Sequence, residues 1–179
     1  MTAMIKKREM LLAIDIGNTN IVFGIHSGEK WVSDWRIQTN TRKTADEYEV
    51  IFRSLIFNGH VLTGEIRSVV MSSVVPTLVQ PFIDMISGFL NLRPVIVGPE
   101  IYDRLPLGIL NPYQIGSDLV VNSLAAYRKY GEFTMVIDFG TALTFTTIGR
   151  EGLILGVAIS PGMNTVVNAL AGNTAQLPQ

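Results

Sequence analysis

Asp15 follows an apolar run, residues 10–14, and is itself followed closely by Gly17, Asn18, Thr19 and Asn20. A carboxylate at the end of such a strand is costly to bury unless it is paired or holds a cation. Gly17 permits a tight turn and lets a ligand approach with no Cβ in the way. The three residues after it offer amide and hydroxyl groups around that turn. Together they form a cradle for phosphate oxygens, with Asp15 placed to hold a metal ion or its water. The same residues also suit an Asx turn in a plain β-hairpin. A second copy weighs against that simpler reading. Residues 133–148, FTMVIDFGTALTFTTI, again run an apolar strand into Asp138, Gly140 and Thr141 and on into a β-rich stretch. Each copy then passes a Gly-containing turn, 26–29 or 149–152, and enters a third strand. Two loops serving one nucleotide explain the repeat more simply than two chance hairpins, and each aspartate would head a domain-sized half.

The elements that must position these residues follow from hydropathy and caps. Residues 1–9 read as a loose leader, with Met4 or Met10 as alternative starts. Five consecutive apolar residues predict a first strand buried on both faces. Strands over 21–25 and 30–38 complete the first unit's opening, with Trp31, Ser33 and Trp35 on one face by the two-residue period. Thr44 and Glu47 form a capping box ahead of a helix whose apolar side carries Tyr48, Ile51, Phe52 and Leu55. Gly59 ends that helix. A strand over 66–75 leads to a helix from Pro76 to about Leu92, although Pro81 favours a start nearer Gln80. After a short strand at 94–97 comes an irregular connection, 98–113, of a length that is commonly functional. A helix over 117–130 enters the second unit, which closes with a helix over 162–171. The first unit thus reads βββαβα and the second βββα, so the second half is either reduced or part of something longer.

Composition narrows the function classes. Of the 179 residues 47% are hydrophobic and 16% charged, which predicts a packed chain with little disorder. A net charge of −1 gives no general attraction to nucleic acid or to an anionic membrane. With no cysteine there is no disulfide, thiolate zinc site or cysteine nucleophile. No apolar run reaches the ~18 residues of a membrane span, and the start lacks a signal peptide's apolar core. A soluble, cytoplasmic protein is expected. His26 and His60 have no ligand-spaced partner and read as surface residues.

Six motifs occur in order: Asp15-Ile16-Gly17-Asn18-Thr19-Asn20, Thr44-Ala45-Asp46-Glu47-Tyr48, Ser73-Val74-Val75-Pro76, Gly116-Ser117-Asp118, Asp138-Phe139-Gly140-Thr141-Ala142 and Ser160-Pro161-Gly162. From Met10 to its end, the chain resembles the type III pantothenate kinases, of the acetate and sugar kinase, Hsp70 and actin superfamily. The resemblance implies an α/β fold of duplicated ribonuclease-H-like (actin-like ATPase) domains, with mixed sheets flanked by helices. The first would span residues 10–115 and the second, incomplete, 116–179. It implies ATP-dependent phosphorylation of pantothenate to phosphopantothenate, the first step towards coenzyme A. It also implies Mg²⁺, a monovalent cation (K⁺ or NH₄⁺), a homodimer, and neither nucleic acid nor membrane as partner.

Carried over residue by residue, Asp15, Ile16, Gly17, Asn18, Thr19, Asn20, Ile21 and Val22 match the family's first phosphate motif, with Asp15 reaching a divalent cation through water. Thr141 matches an ATP contact and Asp138 the monovalent-cation ligand. Gly116, Ser117, Asp118 and Leu119 match the substrate motif, in which Asp118 is the catalytic base. Thr174 matches a substrate contact made across the dimer. A carboxylate in the first turn of a helix is favoured in its ionised form and suits a general base, though acidic residues there also serve as caps. Asn122, one turn on, is placed to orient Asp118. Leu119 replaces the family's arginine and so offers no planar fork for an anion. Ile109 stands where the family tends to have a tyrosine. These departures motivate two alternatives: a catalytically impaired nucleotide-binding paralogue or truncated form, or a kinase of the same superfamily acting on another small substrate.

Overall fold

In the computed structural model, residues 9–173 are described, beginning with β1 (Met10–Ile16). It pairs antiparallel with β2 (Asn20–His26), which pairs antiparallel with β3 (Trp31–Gln38). On its other side β1 pairs in parallel with β4 (Ile66–Ser73), and β4 with β5 (Val95–Ile96), giving the order β3-β2-β1-β4-β5. Helices α1 (Ala45–Asn58) and α2 (Pro76–Leu90) complete this first compact unit, Met1–Val97.

β1 is not buried on both faces. Leu12, Ile14 and Ile16 are buried, whereas Leu11 and Ala13 are half-buried and Asp15 is exposed. The buried row shares one core with Phe23 of β2, Tyr48 and Phe52 of α1, and Phe82 of α2. Burial therefore follows the strand's two-residue period even where the sequence is apolar at every position. Phe23 lies at the centre of an aromatic cluster, with ring centroids 5.1 Å from Phe52 and 6.1 Å from Phe82. Phe82 in turn lies 4.7 Å from Tyr48.

The two tryptophans do not share a face. The register shifts between Ile25 and His26, so that Ser33 faces Ile25 while Trp31 faces His26. That extra residue is a bulge, which flips the side chains beyond it. Trp35 packs on the helix side, under Gly59, where a Cβ would collide with its ring. Trp31 lies across Gly24 on the opposite side and remains largely exposed.

The capping box forms as expected, with Glu47 N–H donating to Thr44 Oγ1 and Thr44 N–H to Glu47 Oε2. Gly59 closes α1 by donating to the Leu55 carbonyl. Pro81 does not delay α2, which starts at Pro76. So near the start, proline removes a single bond, to the carbonyl of Thr77 in the first turn, where that oxygen can tilt outward to water. Asn91, in the left-handed region, ends the helix.

The second compact unit, Gly98–Gln179, contains α3 (Pro99–Tyr102), α4 (Ser117–Tyr130), β6 (Thr134–Phe139), β7 (Ala142–Ile148), β8 (Ile154–Pro161) and α5 (Met163–Asn173). The connection expected to be irregular thus holds a short helix and a parallel bridge from Gly108 to Leu153. β6, β7 and β8 form an antiparallel sheet in that order. Helix α4 buries Leu119, Val120 and Ser123, and β7 buries Thr146. The row Met135, Ile137 and Phe139, counterpart of Leu12, Ile14 and Ile16, is 53%, 48% and 75% exposed, against 0%, 3% and 0% in the first unit. The first row lies beneath α1 and α2; among the described residues the second has no such helix pair. No helix among the described residues is long and apolar enough to cross a membrane.

Candidate active site

The first aspartate-led turn is held from behind. Gly17 N–H donates to the Asn20 carbonyl at 3.0 Å, and a Cβ on Gly17 would stand 3.1 Å from that same oxygen. Gly17 is not among the positive-φ residues, so glycine here supplies room rather than a left-handed backbone. Thr39, at the end of β3, grips the turn twice, through Oγ1 to the Gly17 carbonyl at 2.6 Å and N–H to the Thr19 carbonyl at 2.9 Å. The next residue is fastened to α1: Tyr48 Oη donates to the Asn40 carbonyl at 2.9 Å, and burial raises the Tyr48 phenol's pKa. Ile16 and Ile21 pair across the hairpin with their side chains in the core. Asn18 and Thr19 are exposed, as is Asp15 on the strand face opposite the core row.

The second turn is one residue tighter: Asp15 pairs with Val22, whereas Asp138 pairs with Thr144. Gly140 N–H donates to the Ala142 carbonyl at 2.9 Å. The Thr141 carbonyl then receives both Gly162 N–H and Thr165 Oγ1 at 3.0 Å, which joins the head of α5 to this turn. A Cβ on Gly162 would run into the Gly140 and Thr141 carbonyls. Both are backbone atoms that cannot step aside. Gly162→Ala is therefore expected to cost about 1–3 kcal/mol of stability through overpacking. Denaturant unfolding would check this, and a variant with unaltered stability would refute it.

Gly116 precedes α4 with an extended backbone, and Asp118 lies in the first turn. Its Oδ1 accepts the N–H of Leu119 at 2.8 Å, so the carboxylate does cap a first-turn amide. Arg128 and Lys129 occupy the last turn, the arrangement the helix dipole favours. Ser117 and Leu119 are buried, so the leucine packs inside this unit. Tyr102 is buried as well; burial raises its phenol's pKa, and the charges of Asp118 and then Glu100 raise it further. Sequence reading did not single out Tyr102, although Pro99 at the head of a helical turn is a usable start signal. It also passed over Thr39, whose only mark is its place just after a strand.

Asn122 does not orient Asp118. Its Nδ2 donates instead to Asp138 Oδ2, 3.3 Å away on β6. The residue one helical turn away lies over the sheet, so the long-range partner wins over the local one. Directly across the ladder from Asp138, the buried Thr144 Oγ1 has no hydrogen-bond partner, and neither has Ser123 Oγ on α4. A groove of about 370 Å³ runs along α4 and β6, lined by Asn122, Ala126, Tyr130 and residues 134–138. The half-buried Asp138 carboxylate at this groove supplies hard oxygen donors of the kind a cation takes. Among the described residues no three His, Cys, Asp or Glu cluster to cage a metal. Thr174 lies outside the described residues.

The profile of the type III pantothenate kinase family matches residues 11–179. The type III pantothenate kinase of Moorella thermoacetica is 44% identical over 170 residues, covering 95% of this chain and 67% of the relative. That of Geobacter sulfurreducens is 41% identical over the same shares. The chain thus spans about two thirds of these relatives' length. Among solved structures, the ethanolamine utilization protein EutJ of Carboxydothermus hydrogenoformans aligns with a TM-score of 0.53 at 15% identity, covering 94% of this chain and 58% of that one. A Ppx/GppA phosphatase of Aquifex aeolicus aligns with a TM-score of 0.51 at 15% identity, covering 94% and 56%. At such identities these likenesses concern the fold alone, which is of the actin-like ATPase class.

Proposed function

The chain belongs to the type III pantothenate kinase family, and from that membership we propose that it transfers the γ-phosphoryl group of ATP to the primary hydroxyl of pantothenate, opening coenzyme A synthesis. The observation that carries this reading is the family match across residues 11–179, which includes both aspartate-led turns and the Asp118 carboxylate at the head of α4. Phosphoryl transfer needs positioning and charge neutralisation more than covalent chemistry from the protein. In this reading Asp15, Ile16, Gly17, Asn18, Thr19, Asn20, Ile21 and Val22 form one phosphate-binding turn. Ile16 and Ile21 hold it in place from the core while the polar residues face the phosphates. Thr141 contacts ATP from the other turn. Asp118 accepts the proton of the substrate hydroxyl as that oxygen attacks, and Gly116, Ser117, Leu119 and Thr174 shape the pantothenate site.

Mg²⁺, when bound, neutralises charge on the phosphates; such an ion usually takes one or two carboxylates and keeps its waters, a role open to Asp15. Asp138 would hold K⁺ or NH₄⁺. A homodimer acting in the cytoplasm completes the proposal. A coupled ADP-release assay with pantothenate, Mg²⁺ and either K⁺ or NH₄⁺ tests it. Pantothenate-dependent ADP release is expected; ATP binding without pantothenate-dependent turnover would instead support the nucleotide-binding alternative that Leu119 suggests.

A further inference from the structure

We propose that Asn122 is a positioning residue whose amide fixes the carboxylate of Asp138 and so ties helix α4, which carries Asp118, to the second aspartate-led turn. This rests on the reading of Asp138 as the monovalent-cation ligand. The Asn122 Nδ2 to Asp138 Oδ2 hydrogen bond, at 3.3 Å, joins α4 directly to β6. Both residues are half-buried at one end of the α4–β6 groove. A carboxylate on a strand has two oxygens and a broad χ2 well. A donor on one oxygen turns the other in a defined direction. On the same strand face lies Thr144 Oγ1, buried and without a partner. Asn122 thereby leaves Asp138 Oδ1 as the carboxylate oxygen open to a cation. Asn122 stands four residues from Asp118 on the same helix, so this bond links the helix that carries the proposed base to Asp138.

Outer-shell partners of metal ligands typically contribute ten- to hundredfold in affinity or activity. Asn122→Ala and the isosteric Asn122→Leu are therefore expected to raise the K⁺ concentration for half-maximal thermal stabilisation by about tenfold, with choline chloride as the ionic-strength control. In turnover, the half-activating K⁺ concentration should rise by the same factor, while kcat at saturating K⁺ largely recovers. Asn122→Gln, which keeps an amide donor, should fall between these variants and wild type. A purely structural role would lower the melting temperature without moving either half-saturating concentration. The Asp138→Asn variant separates the two levels of the claim. Loss of the K⁺ response in Asp138→Asn, together with a wild-type response in Asn122→Ala and Asn122→Leu, overturns the inference alone. An undiminished K⁺ response in Asp138→Asn overturns the reading of Asp138 and the inference with it.

Discussion

Asp118→Asn is expected to lower kcat by about a hundred- to ten-thousandfold while leaving ATP affinity within about threefold of wild type. The amide is the same size as the carboxylate and its oxygen can still accept the Leu119 N–H that now bonds Oδ1, so α4 should keep its start. What the variant loses is proton affinity, the one property a general base requires. The cap and the base are thus separable. A residue that only closes a helix end would cost stability, about 1 kcal/mol by analogy with other caps, and little turnover. Steady-state kinetics at saturating ATP and pantothenate, paired with ATP calorimetry, distinguishes the outcomes. Turnover within tenfold of wild type would remove Asp118 from the chemistry. The buried Tyr102 beside it gives a second handle. Burial first, and the charges of Asp118 and Glu100 next, raise its phenol's pKa.

Phe23→Ala is expected to destabilise the first unit by about 3–5 kcal/mol, a large part of the 5–15 kcal/mol typical of a whole domain. Phe23 is fully buried on β2, and its ring stacks against Phe52 of α1 and Phe82 of α2 at once. Truncation removes a ring that touches both helices from the sheet side and leaves a cavity that fixed aromatic neighbours cannot close. Because β2 begins at Asn20, directly after the first turn, the loss should also reach ATP binding before the unit unfolds globally. Phe57→Ala on α1 is the control: that ring is 80% exposed, and the change should stay within about 0.5 kcal/mol. Urea titration would decide the matter. Similar midpoints for the two variants would mean that the core around Phe23 repacks freely.

Much of this was legible in the residues themselves. The capping box at Thr44, the Gly59 stop, the hairpin order and the α4 boundaries are local: each depends on groups a few residues apart, and the chain spells them out. The same is true of the repeated aspartate–glycine turns, whose likeness needs no tertiary information to be seen. The errors fell where distant parts of the chain settle the result. An apolar residue at every position of β1 says nothing about which face α1 and α2 will cover. The bulge that parts Trp31 from Trp35 depends on how β3 meets β2, and neither strand announces it. Pro81 is tolerated because its place in the helix, not its identity, sets the cost.

The candidate site divides along the same line. The sequence by itself determined the family, the fold class and the carboxylates that can bear charge, because those reside in residue type and spacing along the backbone. Tertiary structure alone decided that Thr39 clamps the first turn, that α5 is fastened to Thr141, that Tyr102 is buried near Asp118, and that Asn122 serves Asp138 rather than its helical neighbour. The physical reason is directional. A hydrogen bond requires donor and acceptor within about 3 Å along a favourable line, and for residues many positions apart only the packed sheet and helix bring them there.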